Sequence, residues 1–358
     1  MPWTKLQIER EEPAFDDPDG HVGRKISYGE ALHEALDQAL ERDPSVYAMG
    51  QGVDDPGGMF GSTLDLHKKY GGQRVFDAPL SEESTVGMAI GSAMAGMRPV
   101  SIHNRPDFLM MAADQIINHA AKWSYMFAGQ VPIPLVIRAC IGRGWGSAAQ
   151  HSQSLYSLFV HVPGLKVVVP STAYDAKGLL ITSIADNNPV IFIEQRWLYN
   201  HQGYVPEEIY SVPFGESVVK REGKDVTILA VSHMVIESLR AAEQLAEKGI
   251  DVEVIDPRTL APFDEQTLLR SVEKTGHLVV ADLDWKTAGF AAEVLARVAE
   301  KGFSYLKKPP VRVALPDIPT PSSYVLENAF YPGVDDIVQA VEELCQGKLS
   351  ETLGEEFE

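Results

Sequence analysis

Short apolar runs alternate with helical patterns along most of this chain. Val46–Met49, Arg74–Phe76, Pro99–Ile102, Leu135–Ala139, Lys166–Val169 and Val190–Glu194 read as strands. Such short runs without polar alternation suit strands buried on both faces. Between them the spacing predicts helices over Leu64–Tyr70, Thr85–Ala95, Phe108–Phe127, Ser152–Phe159 and Tyr174–Ala185. The first helix opens with Ser27 and, three residues on, Glu30, a capping-box pair. Ala31, Leu32, Ala35, Leu36, Ala39 and Leu40 then supply an apolar stripe at helical spacing. Trp197 to Gly215 breaks the alternation with Tyr, Pro, Gly and Glu. A second series follows: strands Val226–Val231, Val252–Ile255, Leu278–Ala281 and Val311–Ala314, and helices Met234–Glu247, Phe290–Glu300 and Val334–Leu344.

Alternation of this kind predicts an α/β fold, a mostly parallel sheet covered by helices on both faces, built twice. The expected organisation is a polar arm over 1–24, a first domain over 25–196, a linker over 197–215, a smaller α/β domain over 216–346 and an acidic tail over 347–358. A length of 358 residues suits two cores. The hydrophobic share of 45% and charged share of 23% are those of a soluble globular protein, and no apolar run approaches the ~20 residues that span a bilayer. Two cysteines, Cys140 and Cys345, leave no disulfide framework and suit a reducing cytoplasm. The net charge of −19 disfavours nucleic acid and anionic membranes as partners.

Candidate chemistry concentrates in Asp77–Gly87, D-A-P-L-S-E-E-S-T-V-G. Glu82 and Glu83 stand at the start of a helix rich in small residues (Gly87, Ala89, Gly91, Ala93), against which something packs closely. The plain alternative is that acids at a helix start answer unpaired N–H groups and the dipole, for about 0.3–1 kcal/mol. The Gly142–Gly146 loop permits close backbone approach or merely a turn. His151 at its exit is either a proton donor or a structural histidine. No nucleophile elbow, P-loop, dinucleotide fingerprint or metal-ligand spacing occurs.

Six ordered motifs carry a resemblance. They are D-A-P-L-S-E, A-A-D-Q-I-I-N-H-A-A-K at 112–122, Q-H-S-Q at 150–153, P-G-L-K-V-V-V-P at 163–170, D-A-K-G-L-L at 175–180 and D-V-E-V-I-D-P-R-T-L-A-P at 251–262. From about Ile26 to Leu344 the chain resembles the beta subunit of the thiamine diphosphate-dependent decarboxylating component of 2-oxo acid dehydrogenases, within the transketolase-like superfamily. The resemblance implies a pyrimidine-binding domain followed by a transketolase C-terminal-type domain. It implies that Glu82 meets the ring nitrogen of the cofactor's aminopyrimidine and promotes loss of the thiazolium proton. Glu83 keeps the helix-start role. By the same resemblance Phe108 packs on the pyrimidine, Leu80 lines its pocket, and His151 serves the substrate. No G-D-G occurs, so the Mg²⁺ ligands for the diphosphate are expected on a separate alpha subunit, in a heterotetramer of two alpha and two beta chains. A structural K⁺ is expected at Leu135, Val136, Ser183, Asp186 and Asn188.

Three departures from the family pattern stand out. Gln51 stands where an acid is usual, which puts communication between paired sites in doubt. His103 and Arg105 replace apolar residues beside the cofactor-stacking position, and suit either a charged or hydroxylated substrate or a plain salt bridge. Arg143 and Trp145 reshape the glycine loop. The expected function is decarboxylation of a 2-oxo acid with acyl transfer to a lipoyl acyltransferase. The alternatives are half of a split transketolase-like enzyme moving a two-carbon ketol or acyl unit, and a non-catalytic scaffold subunit.

Overall fold

The computed structural model describes residues 23–143 and 146–346. Most of the expected arm, the acidic tail and Trp145 lie outside them. Two compact units form: 23–216 with 258–263 and 319–327, and 217–257 with 264–318 and 328–346.

The first unit is built on a seven-stranded sheet. Its strands are β2 (Val46–Gly50), β3 (Val75–Asp77), β4 (Arg98–His103), β5 (Val136–Ile141), β6 (Lys166–Val168), β7 (Val190–Gln195) and β12 (Thr259–Ala261), in the order β12-β6-β7-β5-β4-β2-β3. All neighbours are parallel except β12, which runs antiparallel to β6. Every residue of β2, β5 and β7 is buried, as their largely apolar runs predict. Because β12 completes this sheet, residues 258–263 group with the first unit although they lie, along the chain, between strands of the second.

Helix α1 (Tyr28–Arg42) begins with the expected capping box: Glu30 N–H donates to Ser27 Oγ at 3.2 Å, and Ser27 N–H to Glu30 Oε2 at 2.8 Å. Its predicted stripe is buried and packs on the helix Ala173–Ala185. Between them Lys177, fully buried, donates to Glu34 at 2.6 Å and to the carbonyls of Pro206, Glu207 and Glu208. Residues 197–215 carry a short strand, β8 (Gln202–Tyr204), antiparallel to β1 (Lys25–Ser27), and bury Leu198, Tyr199, Val205 and Val212.

The expected continuous helix over Phe108–Phe127 is instead three pieces. A 3₁₀ turn spans Pro106–Ala112, a π-helical turn Gln115–Ala120, and an α-turn Ala121–Met126. Pro106 starts the first piece, where its missing N–H costs nothing, and π turns insert an extra residue where a side chain must be re-aimed.

The second unit holds five strands in the order β14-β13-β10-β11-β9, where β9 is Val218–Arg221, β10 Val226–Ala230, β11 Val252–Asp256, β13 Leu278–Trp285 and β14 Val311–Leu315. Only β9 is antiparallel. The helix Glu265–Thr275 was not expected from the apolar pattern; its N-cap Asp264 accepts from Thr267 N–H.

Arg138 on β5 and Glu194 on β7 form an ion pair at the centre of the first sheet, 2.5 Å apart and without solvent exposure. Arg138 also donates to Ser62 Oγ at 3.0 Å, and Glu194 accepts from the Tyr199 hydroxyl. Glu194→Gln is expected to destabilise by about 3–5 kcal/mol, because it strands a buried guanidinium. In a unit this size the melting temperature should fall by roughly 10 °C in a calorimetric scan; an unchanged transition would contradict the pairing.

Candidate active site

Every sequence-predicted catalytic or substrate residue follows the carboxyl end of a parallel strand of the first sheet, where open α/β sheets bind their ligands. Gln51 follows β2, Leu80 and Glu82 follow β3, His103 ends β4 and leads to Arg105 and Phe108, and His151 follows β5. Arg196 follows β7.

Glu82 is the first residue of the helix Glu82–Met94, and Ser81 before it makes no side-chain cap. The two acids of the first turn therefore face an uncapped helix start. Glu82 is half-buried, whereas Glu83 is exposed. The Gln51 side-chain amide donates to Glu82 Oε1 at 3.0 Å. Gln51 reaches that position because the chain at Gly50 passes against the Ile102 carbonyl, where a Cβ would stand 2.0 Å from the oxygen. Gln51 N–H bonds the same oxygen at 3.2 Å. Leu80 is 80% exposed, in a segment where Pro79 and Ser81 are exposed too and Ala78 is buried.

Phe108 and His151 meet edge to face, with ring centroids 5.2 Å apart and planes at 82°. Asp107 holds them together. Its Oδ1 accepts from Gln153 N–H at 3.2 Å and from the Gln153 amide at 2.8 Å. Burial pushes the Asp107 carboxyl above its ordinary range, and these bonds oppose the shift. Neither this clamp nor the Gln51–Glu82 bond is visible in the patterning, though both partners of the clamp flank motif residues.

His103 is buried, with Nε2 3.0 Å from Ser101 Oγ. Burial lowers it to about 4 against the opposing charge of Glu82. At neutral pH it is therefore an uncharged hydrogen-bonding group, so the cation expected beside Phe108 comes from Arg105 alone. No carboxylate among the described residues pairs with Arg105, so the salt-bridge alternative is not formed. Arg143 lies over the Trp197 ring at 3.6 Å, and its carbonyl accepts from Trp197 Nε1.

The five residues expected at a K⁺ site gather where β5 begins and where the helix Ala173–Ala185 turns into β7. The oxygens of Leu135, Ser183 and Asp186 already accept hydrogen bonds. The Leu135 carbonyl accepts from Val190 N–H, and that of Ser183 from Asp186 N–H. The Asp186 carboxylate takes Asn188 and the Lys166 ammonium, and Arg98 donates to the carbonyls of Ile184 and Asp186. Two protein cations, Lys166 and Arg98, thus serve Asp186 in this turn. Among the described residues no group of three or more His, Cys, Asp or Glu is placed to hold a metal. Nor is any helix among them long and apolar enough to cross a membrane.

The half-site does fit a thiamine-type pyrimidine. It offers one carboxylate oxygen held by Gln51 and a second left for a ring N–H or ring nitrogen. An exposed leucine and a half-exposed aromatic ring supply the apolar walls.

Comparison with known proteins agrees with this geometry. Residues 24–202 match the transketolase pyrimidine binding domain and residues 215–337 the transketolase C-terminal domain. The beta subunit of acetoin:2,6-dichlorophenolindophenol oxidoreductase from Cupriavidus necator is 46% identical, over 91% of this chain and 99% of the relative. Its Bacillus subtilis counterpart is 43% identical, over 90% and 98%. The pyruvate dehydrogenase E1 component subunit beta of Rickettsia felis is 41% identical, over 90% and 98%. Among solved structures, a split-gene transketolase described as an inactive beta4 tetramer shares the fold, with TM-score 0.74 and 24% identity over 90% of this chain and 99% of its own. With both domain matches and relatives of this identity along almost its whole length, the chain belongs to the transketolase family, in the group that holds the beta subunits of acetoin oxidoreductases and pyruvate dehydrogenase E1 components.

Proposed function

We propose that this chain is the beta subunit of a heteromeric thiamine diphosphate-dependent enzyme that cleaves a 2-oxo acid or related ketone and hands on the acyl unit. The observation that carries this reading is the convergence of Glu82, Phe108 and His151, with Gln51 holding one oxygen of the Glu82 carboxylate. The chemistry supplied by bound thiamine diphosphate is a nucleophilic carbon and an electron sink next to the substrate carbonyl. Glu82 presents its free oxygen to the pyrimidine ring nitrogen and holds the proton exchanged there. Leu80 and Phe108 exclude water from the ring. His151, exposed at the mouth, gives or takes a proton at a substrate oxygen.

The remaining half of the site, with Mg²⁺ and the diphosphate, belongs to an alpha-type partner in a heterotetramer. Exposed apolar side chains support such an interface: Met88 on the Glu82 helix, with Met111, Met126, Phe127 and the 90% exposed Tyr125 on the segments that follow β4. The helix Glu82–Met94 packs directly on the Pro106–Ala112 and Gln115–Ala120 turns, which makes these positions neighbours rather than scattered residues. A lipoyl-bearing acyltransferase is the acceptor proposed for the acyl group, and two free cysteines suit a reducing cytoplasm.

Glu82→Gln, assayed with the alpha-type partner, should lower cofactor-dependent turnover by roughly 10²-fold or more while gel filtration still shows the heteromer. Turnover at the wild-type level would overturn the assignment. Calorimetry should show tight binding of thiamine diphosphate with Mg²⁺ only when both subunits are present; saturable binding to this chain alone would refute the shared site.

A further inference from the structure

The group beside this site that the reading above leaves unused is Arg105. Its Nη1 donates to the neighbouring Asn104 carbonyl at 2.6 Å, while its buried Nε has no partner. A buried N–H left unmet is costly, and a guanidinium keeps its charge wherever it is placed. Two candidate counter-anions on β5 and β7 are spent or neutral. Glu194 is taken by Arg138 and Tyr199, and burial pushes the Cys140 thiol up to about 12. Arg105 is not alone. Its guanidinium lies 5.4 Å from the Phe60 ring, and that of Arg196 lies 4.9 Å from the same ring. Phe60 is held there with φ at 50°, a left-handed conformation that an aromatic residue adopts only at a cost.

The position is adjacent to the reacting end of the site. A side chain at Gly142 would stand 2.5 Å from Arg105 Nε and 2.1 Å from the His151 carbonyl. The unmet Nε therefore lies against the backbone of His151, whose ring meets Phe108. Glycine at 142 is what leaves room for the Arg105 guanidinium beside that backbone.

We propose that Arg105, with Arg196 on the shared Phe60 ring, forms an oxyanion subsite, so that the substrate carries a carboxylate or a phosphate and is not a neutral hydroxyketone such as acetoin. This rests on the thiamine-type reading of the same site. The planar fork of Arg105 suits either oxyanion. A 2-oxo acid would bring the group next to its reacting carbonyl, a ketose phosphate at the far end of its chain.

The test compares the reconstituted wild type with Arg105→Met and Arg105→Lys. Specificity constants are measured for pyruvate, a ketose phosphate and acetoin with an artificial electron acceptor. The ratio of anionic substrate to acetoin should fall roughly 10- to 100-fold in Arg105→Met and recover partly in Arg105→Lys. Whichever anionic substrate shows the fall identifies the oxyanion. In parallel, sulfate is titrated into the heteromer without cofactor, where binding should be present in the wild type and lost in Arg105→Met at unchanged melting temperature. Equal losses on acetoin and on both anions, or a wild type that prefers acetoin and binds no sulfate, would overturn the proposal. A wild type with no cofactor-dependent turnover at all, yet with sulfate binding that depends on Arg105, would count against the thiamine reading and leave the subsite standing.

Discussion

The buried Arg138–Glu194 pair is the interaction on which the first unit depends. It joins adjacent central strands where neither charge touches water. Burial works against the Arg138 charge, but Glu194 holds its proton above even the usual arginine range. Such a pair is weak evidence for net stability, because desolvation consumes most of its attraction. Its consequence is geometric. Arg138 also holds Ser62, in the loop that carries Phe60, and Glu194 holds the Tyr199 hydroxyl, in the segment that carries Arg196. Tyr199 in turn packs edge-on to Phe60 at 6.0 Å and against Tyr28 of the first helix at 5.8 Å. One satisfied ion pair thereby orders two loops above the sheet.

The functional groups are arranged on that platform by short, local bonds. Gln51 fixes one oxygen of Glu82, and Asp107 ties the segment after β4 to the segment after β5. Each bond contributes modestly to stability, of order 1 kcal/mol or a little more where a carboxylate is involved. Their larger effect is to place a carboxylate, an aromatic ring and an imidazole after the carboxyl ends of β3, β4 and β5 of one sheet. The amide of Gln51 can donate to Glu82 but cannot carry a proton away from it. In this chain the position orients Glu82, and a relay of carboxylates through residue 51 is closed to it.

The sheet strands of both units and most of the covering helices were legible from apolar runs and helical spacing, since buried parallel strands leave no other signature. What escaped were elements whose stability comes from a distant partner. Strands β1 and β8 exist through each other, β12 through β6, and β9 as an edge against β11. The helix Glu265–Thr275 escaped because only Leu268, Ser271, Val272 and Thr275 face inward, two of them polar. Thr227 meets Ser271 at 2.6 Å and Thr275 at 2.8 Å, so a hydroxyl network replaces part of the apolar stripe.

By itself the sequence determined the α/β class and the family and named candidate residues for the chemistry, because periodicity and ordered motifs are local properties of the chain. Only the tertiary structure decided their states and neighbours. His103 is neutral because it is buried at a strand end, no carboxylate among the described residues pairs with Arg105, and Asp186, expected at a K⁺ site, is served by Lys166 and Arg98. Glu82 and Glu83, equivalent as acids at a helix start, differ because one meets Gln51 and the other solvent. Burial and long-range contact set these outcomes, and neither can be read from residues adjacent along the chain.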